Sequence, residues 1–345
     1  MVDFYDVSPD AMAGVPLGVD PVAHMRACAP LPLHAEEYID RAVTPVALER
    51  LAILDYLIGK GLTYPITDWL GIMNIRWQKS NKTGNPQFSM YPEPDQVEER
   101  RPDLGLDSLP VYCLTDGFSI HPRLFAEWER TGFQSMDTTM IQDSIRRENE
   151  ALELSVIEGP RRADGSQFKV NGQAIPGLLT DPNASQFAFD SNLTWTDAAK
   201  DPTDIIGDVR AARAMLKANG RYGPYVLIIG TDYDDVLDAD YKTTASSVIM
   251  TTRERIMKLS GIQDIIISDR FPASRAVLLQ PTNNVIDIVI GQQPAVVSWI
   301  TGPAALPVRK WMTVACVIPR IKQTYEGQSG IVVMKPNLGD PNLPS

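Results

Sequence analysis

The chain has 345 residues, with 32 Lys and Arg against 43 Asp and Glu, and a formal charge of -11. Such acidity repels nucleic acid unless a local basic patch offsets it, and basic residues cluster no further than pairs, among them Arg100-Arg101, Arg146-Arg147 and Arg161-Arg162. A composition of 44% apolar and 22% charged residues excludes a disordered chain, and no run reaches the roughly 18 apolar residues of a membrane span.

In chain order, the N-terminal stretch MVDFYDVSPDAMAGV is acidic and has no apolar h-region, so synthesis in a cytoplasm is expected. Residues 1 to about 35 are rich in Pro, Ala and Asp without a sustained period and read as an extended arm. Over Thr44 to Gly59, apolar residues recur at Leu48, Leu51, Ile53, Leu54, Leu57 and Ile58. With Thr44-Pro45 as cap and first helical position, and Gly59 as stop, that pattern predicts a short amphipathic helix.

Residues 63 to 118 carry little helical period. Trp69 to Gln78 and Val111 to Ile120 read as strands, Phe88 to Tyr91 as a short apolar-aromatic segment, and SNKTGNP as a turn cluster. PEPDQVEERRPDLGLDSLP is polar and broken by four prolines. An excursion of this length is normally functional or held by a partner, and a two-stranded arm is marginal alone in water.

Asp137 to Val156 is the strongest helix, with Met140, Ile141, Ser144, Ile145, Glu148, Leu152 and Ser155 on one face and Gly159-Pro160 as its end. Residues 161 to 195 are loop-rich with short strands. From 201 the pattern becomes mixed. Asp201-Pro202 starts a helix that Asn219-Gly220 stops, and Tyr225 to Ile229 is a buried strand. Short helices follow from Thr231 to Tyr241 and from Thr251 to Ser260. Four short β runs then cover Asp264 to Ile267, Ala276 to Gln280, Val285 to Ile290 and Ala295 to Trp299. The chain closes with a long β run from Lys310 to Gln323, a polar turn, and a return strand from Ile331 to Met334.

Reactive side chains form no recognisable constellation. Cys28, Cys113 and Cys316 are odd in number and widely spaced, so neither a disulfide framework nor a zinc motif is expected, and buried thiols in a reducing compartment are. His24, His34 and His121 lie far apart, and His121-Pro122 reads as a turn. The acids from Asp232 to Asp240 lack calcium-loop spacing and suit the first turn of a helix. Gly220-Arg221-Tyr222-Gly223-Pro224 precedes a strand, so a dinucleotide reading fails on context. Glu148 fits a residue paired across an interface or at a core rim better than a buried catalytic acid. Trp195, Trp299 and Trp311 read as core or interface anchors.

The order of parts resembles the Hong Kong 97-type capsid fold of tailed-phage major capsid proteins and encapsulin shells. DPTDIIGDVRAARAMLKANGRYGPYVLIIGTDYDDVLDADY, from Asp201 to Tyr241, is similar to that family's helix, GPY turn, strand and short tyrosine-bearing helix. Val308 to Val333 resembles its closing strand pair, and the likeness covers about 120 to 345. The resemblance implies an α+β fold in five parts. These are an N-terminal arm and helix (1–62), an E-loop (63–118), a P-domain (119–200) with its spine helix at 137–157, an A-domain (201–305), and closing P-domain strands with a tail (306–345).

It further implies a non-enzymatic capsid subunit that assembles in a host cytoplasm into hexamers and pentamers of an icosahedral head around double-stranded DNA. That role needs no cofactor, metal or membrane. Its partners would be other copies of itself, portal and scaffolding proteins, possible decoration proteins, and DNA held without sequence-specific contact. The arm before the first helix shows no coiled-coil pattern, so the scaffold would be a separate protein or the chain is already processed. Contacts between subunits are expected at Trp77, Lys79, Lys82, Phe88, Tyr91, Arg100, Arg101, Arg146, Arg147, Glu148, Asp234 and Tyr241. Lys79 and Lys82 would lie at the E-loop tip, where some members of the fold cross-link lysine to asparagine. An encapsulin-type shell around a cargo enzyme is the second reading, and a soluble α/β enzyme with its site in the 200–300 region the third.

Overall fold

The computed structural model describes residues 51–80, 104–131, 139–170, 172–241, 250–301, 308–324 and 326–336. The chain enters through helix α1 (Ala52–Gly59), whose Ile53, Leu54 and Leu57 are buried. Strand β1 (Thr63–Pro65) follows, then a hairpin of β2 (Asn74–Ser80) and β3 (Leu104–Pro110), then β4 (Leu114–Ile120). Helix α2 (Pro122–Arg130) starts on a proline, whose missing N–H costs nothing in the first turn. His121 Nδ1 accepts the Arg123 N–H at 3.3 Å and so caps this helix. The long helix α3 (Thr139–Glu158) ends at Gly159, which has φ +88°. A Cβ on Gly159 would stand 2.3 Å from the Ile175 carbonyl oxygen, so glycine lets the chain turn against residues 175–177.

One short strand pair comes next, β5 (Lys169–Val170) with β6 (Gln173–Ala174), before β7 (Ser185–Ala188). Helix α4 (Pro202–Ala218) buries Ile205, Val209, Ala212 and Leu216 along one stripe. Then follow β8 (Tyr225–Gly230), the single-turn α5 (Asp234–Asp238), β9 (Asp240–Tyr241), β10 (Met250–Thr251) and α6 (Thr252–Met257). The Thr251 hydroxyl accepts the Glu254 N–H at 3.2 Å, an N-cap. The chain finishes with β11 (Ile262–Ser268), β12 (Ala276–Leu279), β13 (Ile286–Thr301), β14 (Val308–Ile321) and β15 (Ile331–Lys335).

Two sheets organise these elements. One has the order β11-β8-β12-β15-β7 and the other β1-β13-β14-β4, each mixing parallel and antiparallel pairs. Strand alternation assigns the side chains to three cores. Val226 and Ile228 of β8 face a central core shared with α1, α3 and the second sheet. Tyr225, Leu227 and Ile229 face the opposite side, under α4, α5 and α6. On β14, Ala315 and Val317 join the central core, while Val314, Cys316 and Ile318 join a third core with Trp69, Ile75 and Leu109. Each fully buried aliphatic side chain stabilises by about 1.5–3 kcal/mol, so three cores on two shared sheets lock the body together.

Several sequence-based expectations need correction. The prolines of 92–110 conceal strand β3, which pairs with β2 from Asn74↔Pro110 to Ser80↔Leu104. Residues 285–299 form most of one strand, not two, and the ladder is irregular between Ile290 and Ala295 instead of breaking. The closing strands β14 and β15 are not a hairpin, because β15 crosses into the five-stranded sheet between β12 and β7. Likewise β13, expected with the 201–305 unit, lies in the four-stranded sheet. His121 caps a helix instead of marking a plain turn. The short helix expected from Thr231 to Tyr241 is a 3-10 turn over Thr231–Tyr233 followed by α5 and β9. The Thr44-Pro45 start of the first helix and Asp137, the expected start of α3, lie outside the described residues.

Candidate subunit interfaces

The β2–β3 hairpin has one face on the body and one in solvent. Ile75 and Leu109, opposite each other in register, are buried against the third core. Leu106 on the outer side is 75% exposed. At the hairpin root, Leu70, Ile72 and Met73 are exposed in succession, Met73 at 79%. Val111 N–H donates to the Met73 carbonyl at 2.9 Å and extends the ladder to that root.

Charge and aromatic contacts hold the hairpin to the body. Arg320 of β14 makes a bidentate pair with Asp287 of β13, at 2.8 and 2.6 Å. Lys322 reaches the same carboxylate at 2.5 Å. The Arg320 guanidinium lies 4.5 Å from the Tyr64 ring centroid and 5.4 Å from that of Trp77. Two rings, one from β1 and one from the hairpin, thus contact a cation whose charge Asp287 balances. Lys79 pairs with Asp107 across the hairpin at 2.6 Å. Burial raises the Asp181 carboxyl of the body, while hydrogen bonds from Asn183 and Ser329 and, more weakly, the Lys79 charge oppose the rise. A groove of about 820 Å³ separates the two parts, lined by Trp77 and Asp107 on one side and by Pro176, Asp181 and Lys335 on the other.

Helix α3 runs along the second sheet with two buried carboxylates on its inner face. Glu153 accepts the Ile53 and Leu54 N–H groups at 2.9 and 3.3 Å and the Ser268 hydroxyl at 3.1 Å. It thereby supplies the acceptors that the first turn of α1 lacks from its own cap. Glu148, one and a half turns earlier, has neither oxygen in a hydrogen bond of normal geometry. Desolvation pushes its carboxyl up to about 8, and the Asp116 charge adds to the rise while the nearby Thr313 hydroxyl opposes it. Beside it, Ser144 donates to Asp116 at 2.7 Å and lies 3.2 Å from the Thr313 hydroxyl. Arg147 reaches Asp116 from the solvent side at 3.3 Å.

Under α4, the Asp208 carboxylate binds Lys200 at 3.0 Å and Trp195 Nε1 at 2.9 Å. On α5, Asp234 and Asp238 both pair with Arg253 of α6, the latter at 2.8 Å.

The sequence matches a family model described as a family of unknown function, DUF6260, over residues 104–334. The chain belongs to that family. No curated protein matches it in sequence. Solved structures do match in shape. A virus-like particle from Pyrococcus furiosus is similar at 16% identity and a TM-score of 0.57, over 88% of this chain and 100% of that one. The capsid of Myoviridae phage XM1 is similar at 12% identity and a TM-score of 0.57, over 82% of this chain and 91% of that one. A chain from Mycobacterium phage Bobi follows at 12% identity and a TM-score of 0.52, covering 80% and 88%. The DUF6260 chain therefore has the Hong Kong 97-type capsid fold, an α+β architecture.

The residues expected at subunit contacts are dispersed over the DUF6260 fold. Trp77 is half-buried in the hairpin foot, stacked toward Arg320. Lys79 lies within a strand opposite Gly105 and is bonded to Asp107, so it does not sit at the tip of a loop. Arg146 pairs with Asp143 one turn back on the exposed side of α3. Glu148 is 1% exposed and turned inward against β4 and β14. Asp234 is held by Arg253, and Tyr241 packs partly buried on the core beneath α4. Lys82, Phe88, Tyr91, Arg100 and Arg101 lie outside the described residues. Sequence reasoning missed Arg320, Asp287 and Tyr64, which come together only through long-range strand pairing. The alternation of Asp287 with the apolar Ile286 and Ile288 was the one local sign of a buried charge.

Proposed function

We propose that this chain is the major capsid protein of a tailed phage, assembling into hexamers and pentamers of an icosahedral head. The observation that carries the reading is a Hong Kong 97-type fold whose hairpin has an outward face and root bearing exposed Leu70, Ile72, Met73 and Leu106. Exposed apolar side chains in succession mark surfaces that another protein covers, and the natural cover in a shell is the next subunit. Obligate interfaces of this kind bury about 2,000 Å² or more.

In this reading the hairpin is the E-loop, and α3 with the four-stranded sheet forms the peripheral domain. The five-stranded sheet with α4 to α6 forms the axial domain. The role is structural, and the protein resides in the virion. A net charge of -11 suits a wall that confines double-stranded DNA by closure and makes few phosphate contacts. Portal, scaffolding and decoration proteins would complete the particle. An encapsulin-type shell is the second reading, and the full coverage of the Pyrococcus furiosus virus-like particle chain favours it.

Negative-stain microscopy of the protein expressed alone tests the proposal, together with size exclusion and absorbance at 260 and 280 nm. Closed particles or ring-shaped capsomers are expected, and nucleic-acid against protein content separates phage head from nanocompartment. A protein that stays monomeric or dimeric at every salt and concentration tried would overturn the shell reading.

A further inference from the structure

Two of the three cysteines meet at the point where the hairpin joins the body. Strands β4 and β14 are antiparallel, with Leu114 opposite Ala315. The ladder ends there, and its register carried one residue further sets Cys113 opposite Cys316. Opposed residues in such a ladder point to one face with Cα atoms about 4.5–5.5 Å apart, and a disulfide spans about 4.4–6.8 Å. The two thiols lie close enough to act on each other's ionisation, which is lowered at Cys113 and raised at Cys316. Cys316 Sγ also lies 3.5 Å from the Tyr112 carbonyl, which holds it beside the residue preceding its partner. Gly291 makes room for that sulfur, since a Cβ there would be 3.0 Å from Cys316 Sγ and 2.6 Å from Trp69 Cβ. Cys113 is exposed and Cys316 buried. A reagent from solvent therefore meets one sulfur, with the second waiting behind it.

We propose that Cys113 and Cys316 form a reversible disulfide that clamps the root of the β2–β3 hairpin to the central strand β14. The oxidant is a low-molecular-weight disulfide. The Cys113 thiolate attacks one sulfur of it, forming a mixed disulfide and releasing one thiolate. The Cys316 thiol then loses its proton and attacks the Cys113 sulfur, expelling the second thiolate. The protein loses two hydrogens as two electrons pass to the small disulfide, which leaves as two thiols. Cys113 is suited to the first step, because it is exposed and its neighbour Cys316 holds its thiol below the ordinary cysteine range. Residues 111–113 join β3 to β4, so the bond fixes the hairpin's exit from the body. A thiol reductant releases it. This clamp is a property of the folded subunit and does not depend on the shell reading.

The test is peptide mapping by mass spectrometry of the full chain after treatment with oxidised glutathione, with free thiols alkylated and no reductant added. A Cys28→Ser background removes the third cysteine as a competing partner. The expected result is a Cys113 peptide joined to the Cys316 peptide, lighter by two hydrogens and separated again by dithiothreitol. In Cys316→Ser, the reaction should stop with glutathione attached to Cys113, which shows that the exposed sulfur reacts first. Hydrogen exchange over 104–110 should slow in the oxidised form. The proposal is overturned if both thiols remain free, if Cys113 links to another chain, or if Cys113 keeps glutathione while Cys316 stays reduced.

Discussion

The two halves of helix α3 place the same residue type at the same depth and treat it in opposite ways. In the C-terminal half, Glu153 is fully buried and accepts three hydrogen bonds, two of them from the first turn of α1. In the N-terminal half, Glu148 is 1% exposed and its oxygens find no such donors. Burial raises both carboxyls above the ordinary range, but only at Glu153 do backbone donors push back. A buried carboxylate is therefore neither stabilising nor costly as such. What decides is whether the fold brings donors to it.

Removing the partnered acid breaks the contrast most strongly. Glu153→Ala leaves the Ile53 and Leu54 N–H groups without an acceptor in a dry core and detaches α1 from α3. A loss of about 3 kcal/mol is expected, since each buried donor left unsatisfied costs about 1–3 kcal/mol and release of a desolvated carboxylate offsets part of it. The chemical denaturation midpoint reads this. An unchanged midpoint would mean that water replaces the carboxylate and that α1 does not depend on it.

Glu148 sharpens the contrast through pH. Its folded carboxyl titrates near 8 against 4.5 when free, so between these values the folded state holds more protons than the unfolded one. Stability therefore declines as pH rises from about 4.5 to 8, at most about 1.4 kcal/mol per pH unit. The groups facing Glu148 from the packed strands are Asp116 and Thr313, and Arg147 approaches Asp116 from outside. Glu148→Gln keeps the shape and abolishes the titration. The variant should gain on the order of 2 kcal/mol over wild type at pH 8 and little at pH 5. Parallel stability–pH curves for the two proteins would refute a buried, neutral Glu148.

How far the sequence could foresee this follows from which signals are local. Helix α4 was legible because Asp201-Pro202 starts it, Asn219-Gly220 stops it, and Ile205, Val209, Ala212 and Leu216 repeat at helical spacing between. The inward face of α3 from Ile141 to Ser155, Glu148 included, was legible for the same reason, although Met140, expected on that face, is exposed. Strand β3 was not, because Gly105, Asp107 and Pro110 are poor strand formers that β2 recruits by pairing. Nor was the parting of β14 from β15, since the polar turn between them says nothing about which sheet each joins. The Arg320–Asp287 pair and its two aromatic rings, from four separate segments, left no spacing to read. The meeting of Cys113 with Cys316 is of the same kind, being set by strand register.

The smallest effect separates the hairpin from the body. Lys79 and Asp107 keep 18% and 30% side-chain exposure, so water screens their attraction. Lys79→Ala should cost the isolated subunit less than about 1 kcal/mol, because exposed pairs rarely contribute more. The substitution also removes the positive charge acting on Asp181, whose carboxyl should then titrate higher. If the hairpin is covered by a neighbouring subunit, the pair loses its water on assembly and its attraction strengthens. Lys79→Ala would then leave the subunit melting temperature nearly unchanged while reducing the fraction of chains that enter particles on size exclusion. Equal small losses in both measurements would place Lys79 outside any interface. A large loss in the subunit alone would make the lysine a strut of the groove, holding Asp107 of the hairpin against Asp181 of the body.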